Sequence, residues 1–155
     1  MEISIQRANI ADAEAILTLQ KLAYQSEAKL YNNFALPPLI ESLQDLTHLF
    51  QTRIFLVSRS GHEVIGSVRG EVTEGRCHIG RLMVHPDHQR QGLGARLLAA
   101  IEDAFPEASA YELFTGNLSQ GNLRLYRSIG YKEFKREPVP PHELVYLEKP
   151  NPHLL

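Results

Sequence analysis

The junction between a strand-like run and a glycine-containing loop, over residues 82–95, constrains the fold of this chain more than any other feature. The apolar run stops at His85-Pro86, and after a short polar loop Gly92 and Gly94 open a segment with helical periodicity. Two glycines at such a junction let the backbone approach a ligand closely, while the first turn of the helix leaves its N–H groups unpaired. Together with the positive end of the helix dipole, those donors form an anion site suited to phosphate. The sequence therefore predicts a phosphorylated ligand.

Hydrophobic periodicity divides the rest of the chain into strands and helices. Alternating patterns and turn residues predict strands that begin at Ile3 and then cover 54–58, 64–68, 77–84, 110–115, Tyr131–Arg136 and Leu144–Leu147. Helical spacing predicts a helix capped by Asn9, one that starts at Pro37-Pro38, one that follows the glycines, and one over Leu118–Ile129 that Gly130 ends. Residues 24–36 are predicted to be irregular.

Apolar stripes indicate which faces of the first two helices are buried. The stripes comprise Ile16, Leu19, Leu22 and Ala23 in the first helix and Leu39, Leu43, Leu46 and Leu49-Phe50 in the second. The element order is β-α-α-β-β-β-α-β-α-β-β, in which strands two to four should form an antiparallel meander. The predicted fold class is a mixed α/β sheet domain with helices packed on the sheet, and a single domain is expected over residues 1–155.

Composition excludes several classes of function. A net charge of -2 gives no electrostatic basis for binding nucleic acid or an anionic membrane. Cys77 is the only cysteine, which excludes an internal disulfide and a multi-cysteine metal site. No apolar stretch approaches the roughly 18–20 residues that span a bilayer, and the first residues lack the pattern of a signal peptide. We expect a cytoplasmic protein with neither a nucleic acid nor a membrane partner.

Spacing around the loop bears on two well-known phosphate sites. No Lys-Ser/Thr pair follows Gly94, which excludes a Walker A loop. A Rossmann site is disfavoured because Leu97 stands where its third glycine is expected and because the flanking strands are predicted to be antiparallel. A tight turn without a ligand is the alternative that the local motif leaves open.

Longer segments carry a resemblance to a known family. The loop Gln89-Arg90-Gln91-Gly92-Leu93-Gly94 resembles the Q/R-x-x-G-x-G/A pyrophosphate loop of the GNAT superfamily of N-acetyltransferases. Leu82-Met83-Val84 is similar to the bulged fourth strand of that family, and residues 125–131 resemble its L-Y-x-x-x-G-Y/F signature. Phe114-Thr115-Gly116, Ser119 and Asn122, with residues 36–39, resemble one bacterial branch. The resemblance implies the GNAT-type acyl-CoA N-acyltransferase fold, with helices on both faces of a mostly antiparallel sheet and splayed fourth and fifth strands.

The resemblance implies acetyl-CoA as cosubstrate and no metal. Its pyrophosphate would lie on backbone N–H groups of the loop, and its pantetheine would contact the main chain of the fourth strand, where N–H donors would also polarise the thioester carbonyl. The implied cofactor-binding residues are Leu82, Met83, Val84, Gln89, Arg90, Gln91, Gly92, Leu93, Gly94, Ala95, Ser119 and Asn122. Ser119 and Asn122 both depart from the residues more usual in the family.

The resemblance also implies catalytic residues. Tyr126 matches the tyrosine that the family uses as general acid, and a phenol with a pKa of about 10 can protonate a departing thiolate. A half-buried core tyrosine is the structural alternative. His78 is a candidate general base, because it lies four residues before Leu82, where some GNAT enzymes carry a glutamate. Glu71, acting through water, is the other candidate, and a water chain alone is the third option.

Three further residues are of types that bind metals or act as nucleophiles, but their sequence context favours neither role. His85 and His88 are three positions apart, but no third ligand accompanies them, so solvated loop histidines are expected. Cys77 is expected to be a small core residue, because the family transfers the acyl group directly to the amine.

The main hypothesis is an acetyl-CoA-dependent N-acetyltransferase that acts on a small-molecule or peptide amine. The acceptor wall is expected from residues 24–39 and Pro138–Glu143. A non-catalytic acyl-CoA-binding sensor or regulatory module is the alternative, and a structural domain without a cofactor is the third hypothesis. Dimerisation is common in this fold, so a homodimer stays open.

Overall fold

A computed structural model describes residues 2–154 of the chain. Its strands are β1 (Ile3–Arg7), β2 (Ile54–Ser60), β3 (Glu63–Thr73), β4 (Arg76–Val84), β5 (Ala110–Gly116), β6 (Lys132–Val139) and β7 (His142–Pro150). Its α-helices are α1 (Ala13–Ala23), α2 (Gln25–Tyr31), α3 (Pro37–Ile40), α4 (Leu43–His48), α5 (Leu93–Asp103) and α6 (Gln120–Ile129). No helix within the described residues is long and apolar enough to cross a membrane.

The strands of residues 2–154 form one seven-stranded sheet in the order β1-β2-β3-β4-β5-β7-β6. All neighbours are antiparallel except β4 and β5, which run parallel. A parallel pair needs a crossover connection, and α5 supplies it. The predicted meander and the predicted mixed α/β sheet are both confirmed.

Helices cover both faces of the sheet. On one face, Leu97 and Ile101 of α5 belong to the same buried cluster as Ile65 and Val68 of β3. On the other face, a second cluster joins apolar residues of α1 and α4 to β2 and β4: Ile16, Leu19, Leu46, Phe55, Val57 and Met83. Full burial of side chains of this size stabilises a fold by about 1.5–3 kcal/mol each. The central strands are therefore fixed from both sides, which makes them a rigid support for a site at their ends.

The segment between α1 and β2 differs from its prediction. Residues 24–36 are not wholly irregular, because α2 forms from good helix formers and ends at Asn32, whose φ of 50° is left-handed. The single helix predicted from Pro37 is two helices. Glu41 adopts an extended conformation with ψ of 129°, and Ser42 starts α4 by accepting a hydrogen bond from the N–H of Asp45 at 3.0 Å.

Two leucines that were predicted to be buried are exposed. Leu22 is 43% exposed because it lies two positions after the fully buried Gln20, about 200° around the helix axis, and so points away from the buried face of α1. The Gln20 side chain donates to the carbonyl of Pro38 at 2.8 Å, so its burial leaves this donor satisfied. Leu43 is 42% exposed as the first residue of α4, one turn before the buried Leu46.

Candidate functional site

A bulge in β4 and the divergence of β4 from β5 create an opening at the centre of the sheet. The register of β3 with β4 shifts between Ser67 and Arg69, opposite the segment that contains Arg81, whose φ is 50°. The pairing of β4 with β5 ends at His78 and Glu112, although both strands continue for several residues. Beyond that point the edge of β4 that faces β5 has no strand partner within the described residues. The predicted bulge and the predicted splayed strands are therefore present.

The divergence opens into a cavity of about 1480 Å³. Its walls come from β4, β5, α2 and α6, from residues 36–38, from the loop before α5 and from the β6–β7 hairpin. Residues 79–84 line one side and residues 113–116 the other, so the space lies between the splayed strands. The two regions that were predicted to form an acceptor wall, 24–39 and Pro138–Glu143, both contribute to it.

The glycine loop presents a row of backbone donors at one end of this cavity. Arg90 and Gly92 have left-handed φ angles of 64° and 81°, which turns the chain sharply into α5. The first N–H of α5 that donates to a protein carbonyl belongs to Arg96, which reaches Gly92 at 3.2 Å. Within residues 2–154, the N–H groups of residues 90–95 donate to no protein acceptor. Such a cluster at a helix N-terminus is an anion site.

Tyr126 lies on α6 and lines the same cavity. Its side chain is only 5% exposed, and within the described chain its hydroxyl makes no hydrogen bond to protein. Burial raises the pKa of the Tyr126 phenol well above its usual value, and nearby Tyr24 and Glu27 raise it further. The hydroxyl therefore keeps its proton at neutral pH and is available as a donor to a group in the cavity.

The two candidate bases lie together on β3 and β4. Glu71 and His78 are directly opposite each other in the antiparallel register, and both line the cavity. The Nδ1 of His78 is 3.0 Å from Oε1 of Glu112, while Oε2 of Glu71 accepts a hydrogen bond from Nε of Arg53 at 3.1 Å. The structure thus places on one face of the sheet an imidazole and a carboxylate that were predicted as alternative general bases.

Ser119 and Asn122 occupy different environments. The Ser119 hydroxyl is bonded to the hydroxyl of Tyr31 and to Oε2 of Glu27, both at 2.7 Å, and Ser119 is 3% exposed. It does not belong to the cavity lining, whereas Asn122 does, with its Nδ2 donating to Oγ1 of Thr115 at 3.2 Å. Ser119 therefore ties α2 to α6, and contact of Ser119 with a cofactor stays a prediction.

A buried ion pair, which was not among the predicted site residues, lines the cavity. Arg69 of β3 donates to both carboxylate oxygens of Glu41, at 3.1 and 3.2 Å, and Gln20 donates to Oε1 at 2.9 Å. Burial tends to raise the pKa of Glu41, but the hydrogen bonds from Arg69 and Gln20 outweigh it and lower the pKa. The signal available in the sequence was an arginine inside the apolar run of β3, which needs a buried partner.

Cys77 is a buried core residue, as predicted, whereas His85 and His88 are only partly exposed to solvent. Cys77 is fully buried, and burial, with the charge of Glu102, raises the pKa of its thiol to about 12, so it is no nucleophile at neutral pH. His85 accepts a hydrogen bond from the N–H of Asp87 and packs its ring edge-to-face with His88. Among residues 2–154, no group of three or more His, Cys, Asp or Glu side chains is arranged to hold a metal ion.

We expect Gly116→Ala to lower the free energy of unfolding by about 1–3 kcal/mol, as overpacking does. A Cβ atom at Gly116 would overlap the Tyr31 hydroxyl, which bonds Ser119 and the N–H of Leu118, so α2 must shift. Gly80→Ala is the matched control, because Gly80 also lies in a strand and its Cβ would meet no atom within 4 Å. Urea unfolding of both variants checks this, and equal stability of the two would show that the Tyr31 contact is easily rearranged.

Comparison with known proteins gives one family and several relatives. A family model described as acetyltransferase (GNAT) domain matches residues 51–133, just over half of the chain. The UPF0157 protein YqkA of Bacillus subtilis is 28% identical over 83% of this chain, and the chain spans only 37% of that protein's length. The UPF0039 protein C11D3.02c of Schizosaccharomyces pombe is 25% identical, with 74% of this chain and 86% of that protein covered.

Solved structures share the fold at low identity. The ribosomal-protein-S18-alanine N-acetyltransferase of Escherichia coli superposes with a TM-score of 0.80 at 18% identity, covering 97% of this chain and 94% of that one. The PaiA N-acetyltransferase of Thermoplasma acidophilum, solved in complex with coenzyme A, gives 0.79 at 18% identity, with 97% and 99% covered. These similarities concern the arrangement of the backbone.

Proposed function

The chain belongs to the GNAT acetyltransferase family, and from this premise we propose that it transfers an acetyl group from acetyl-CoA to a primary amine by direct attack. The family match confirms the resemblance to the GNAT superfamily that the sequence carries. The observation that carries the proposal is the row of unpaired N–H groups over residues 90–95, at the end of a cavity between splayed strands.

The residues of this cavity fit the parts of acetyl-CoA. The loop N–H groups suit the pyrophosphate, because they combine unpaired donors with the positive end of the α5 dipole. Leu82 and Val84 lie on the part of β4 that has no partner in β5, so their main-chain N–H groups are available to the pantetheine, while the Val84 carbonyl accepts from Gln89. The PaiA structure contains coenzyme A in a protein of the same fold, which supports this placement.

The chemistry follows from the groups that line the cavity. Acetyl-CoA supplies an activated acyl group as its thioester. His78, or Glu71 through water, accepts the proton that an ammonium group must lose before it attacks. As the new N–C bond forms and the C–S bond breaks, main-chain N–H donors of β4 stabilise the negative charge on the carbonyl oxygen, an effect worth about 3–4 kcal/mol. Tyr126 gives its proton to the departing sulfur and regains one from solvent.

The proposal is tested by thiol release from acetyl-CoA with a panel of small amines, amino acids and short peptides. We expect release above the acceptor-free rate for at least one class, and stabilisation by a few kcal/mol when CoA is saturating. Stabilisation by CoA without turnover across the panel would favour the alternative function, an acyl-CoA-binding module. The absence of both effects would contradict the proposal. Location in the cytoplasm and homodimerisation stay predictions.

A further inference from the structure

The acceptor side of the cavity contains one arginine whose charge is not matched. Three arginines enter the cavity lining from β3, from β4 and from the residue before β2. Two of them are paired, Arg53 with Glu71 and Arg69 with Glu41. The only carboxylate within ion-pair distance of Arg81 among the described residues is Glu41, which already pairs with Arg69. The Oε1 of Glu41 lies 3.7 Å from the Arg81 Nε. That distance exceeds a hydrogen bond, and Oε1 already accepts from Arg69 and Gln20.

The Arg81 side chain also has a hydrogen-bond donor, its Nε, without a partner among the described residues. The side chain is 20% exposed, and its Nε is buried. The backbone of Arg81 is left-handed at the β4 bulge, and bulges of this kind redirect a side chain out of the regular alternation of a strand. Arg81 lines the cavity, so its guanidinium is placed to bind an anion that enters there.

The local charge defines the kind of ligand. Within the ion-pair cluster, Arg69 and Arg81 contribute two positive charges and Glu41 one negative charge, which leaves the cluster with one positive charge in excess. Glu27, a further carboxylate of the lining, accepts a hydrogen bond from Ser119 and pairs with neither arginine. A single carboxylate balances that excess, whereas a phosphate dianion would leave a negative charge beside Glu41. The planar guanidinium of arginine also matches a carboxylate in shape.

A tyrosine connects this arginine to the reacting centre. Tyr24, at the end of α1, lines the cavity and has no hydrogen-bonded partner for its hydroxyl among the described residues. Burial raises the pKa of Tyr24, and the charge of Arg81 partly opposes it, while Tyr24 in turn raises the pKa of Tyr126. Tyr24, Arg81 and Tyr126 all line this cavity, so a ligand bound at Arg81 occupies the same space as the Tyr126 hydroxyl.

We infer that the acceptor is a primary amine that also carries a carboxylate, and that Arg81 and Tyr24 bind this carboxylate. The inference rests on the proposed function for the amine, but the anion site exists independently of turnover. The carboxylate comes from a free amino acid or from an acidic or C-terminal group of a peptide. Both sources present a carboxylate and a primary amine in one molecule.

Paired acceptors that differ only in charge test the inference. Glycine, β-alanine and 4-aminobutyrate are each compared with their primary amides, and a dipeptide with its C-terminal amide distinguishes the peptide source. The proteins are the wild type, Arg81→Gln, Arg81→Lys and the control Arg7→Gln, which lies on β1 outside the cavity lining. We expect Arg81→Gln to lower kcat/KM for the preferred acid by about 10- to 100-fold, as loss of a charged hydrogen bond does. The amide should change little, and Arg81→Lys should retain part of the preference.

A binding measurement separates this inference from the proposed function. The N-acetyl derivatives of the same acids and amides are titrated into protein saturated with CoA, and thermal stabilisation is recorded. If no amine is acetylated but N-acetylated acids stabilise the wild type and not Arg81→Gln, the function fails and the inference holds. If acids and amides are acetylated equally by both proteins, the function holds and the inference is overturned. Weaker binding of acetyl-CoA by Arg81→Gln also overturns it, because Arg81 would then serve the donor.

Discussion

Replacing Tyr126 with phenylalanine should lower kcat by about 100-fold or more, which is the usual contribution of a positioned general acid. The change removes only the hydroxyl, and that hydroxyl has no protein hydrogen bond to lose, so the fold should be unaffected. Burial keeps the Tyr126 pKa high, so the wild-type group is a proton donor throughout the neutral range. The affinity for acetyl-CoA, measured by calorimetry, should stay within about twofold, because leaving-group protonation acts in the transition state.

Tyr146→Phe is the matched control for this experiment. Tyr146 lies on β7 outside the cavity lining, and its hydroxyl donates to Glu137 on the surface. Its loss should leave kcat unchanged. Unchanged turnover in Tyr126→Phe as well would remove Tyr126 from the mechanism and leave protonation of the sulfur to water. Weaker binding of acetyl-CoA with normal kcat would instead make Tyr126 a binding residue.

The backbone features of the site follow from short segments of sequence. The two glycines after an apolar run specify a sharp turn into a helix, and Gly130, with φ of 109°, ends α6 as expected. Both effects are local, because a left-handed conformation depends mainly on the residue that adopts it. The position of Tyr126 on the buried side of α6 likewise follows from helical spacing. The turn of the glycine loop and the burial of Tyr126 were predictable for this reason.

The acceptor side depends on contacts between distant segments and could not be predicted in the same way. The pairing of Arg69 with Glu41 requires the break between α3 and α4, which the leucine spacing of residues 39–50 concealed. The unmatched charge of Arg81 depends on the register shift opposite Ser67. Register and bulges are set by pairing between distant strands. The sequence therefore shows which residues are charged but not which of them pair with one another.

Gly92→Val should weaken binding of acetyl-CoA by about 10- to 100-fold, the loss expected when one or two hydrogen bonds to a charged group are removed. Gly92 has a φ of 81°, which a β-branched residue adopts only at a cost of about 1–2 kcal/mol. The strain is relieved if the backbone rotates, and rotation carries the N–H groups of residues 90–95 away from their common direction. Calorimetric titration of acetyl-CoA measures the affinity, and thermal unfolding measures the strain.

Gly75→Val separates the loss of binding from the loss of stability. Gly75 has nearly the same φ, 80°, lies in the turn between β3 and β4, and like Gly92 has no atom within 4 Å of an added Cβ. Both variants therefore bear the same backbone strain without a clash, and both should unfold at lower temperature. Only Gly92→Val should lose affinity for acetyl-CoA. Equal affinity in the two variants would mean that the pyrophosphate is held by side chains, with Arg90 and Arg124 of the cavity lining as the candidates, instead of by the loop backbone.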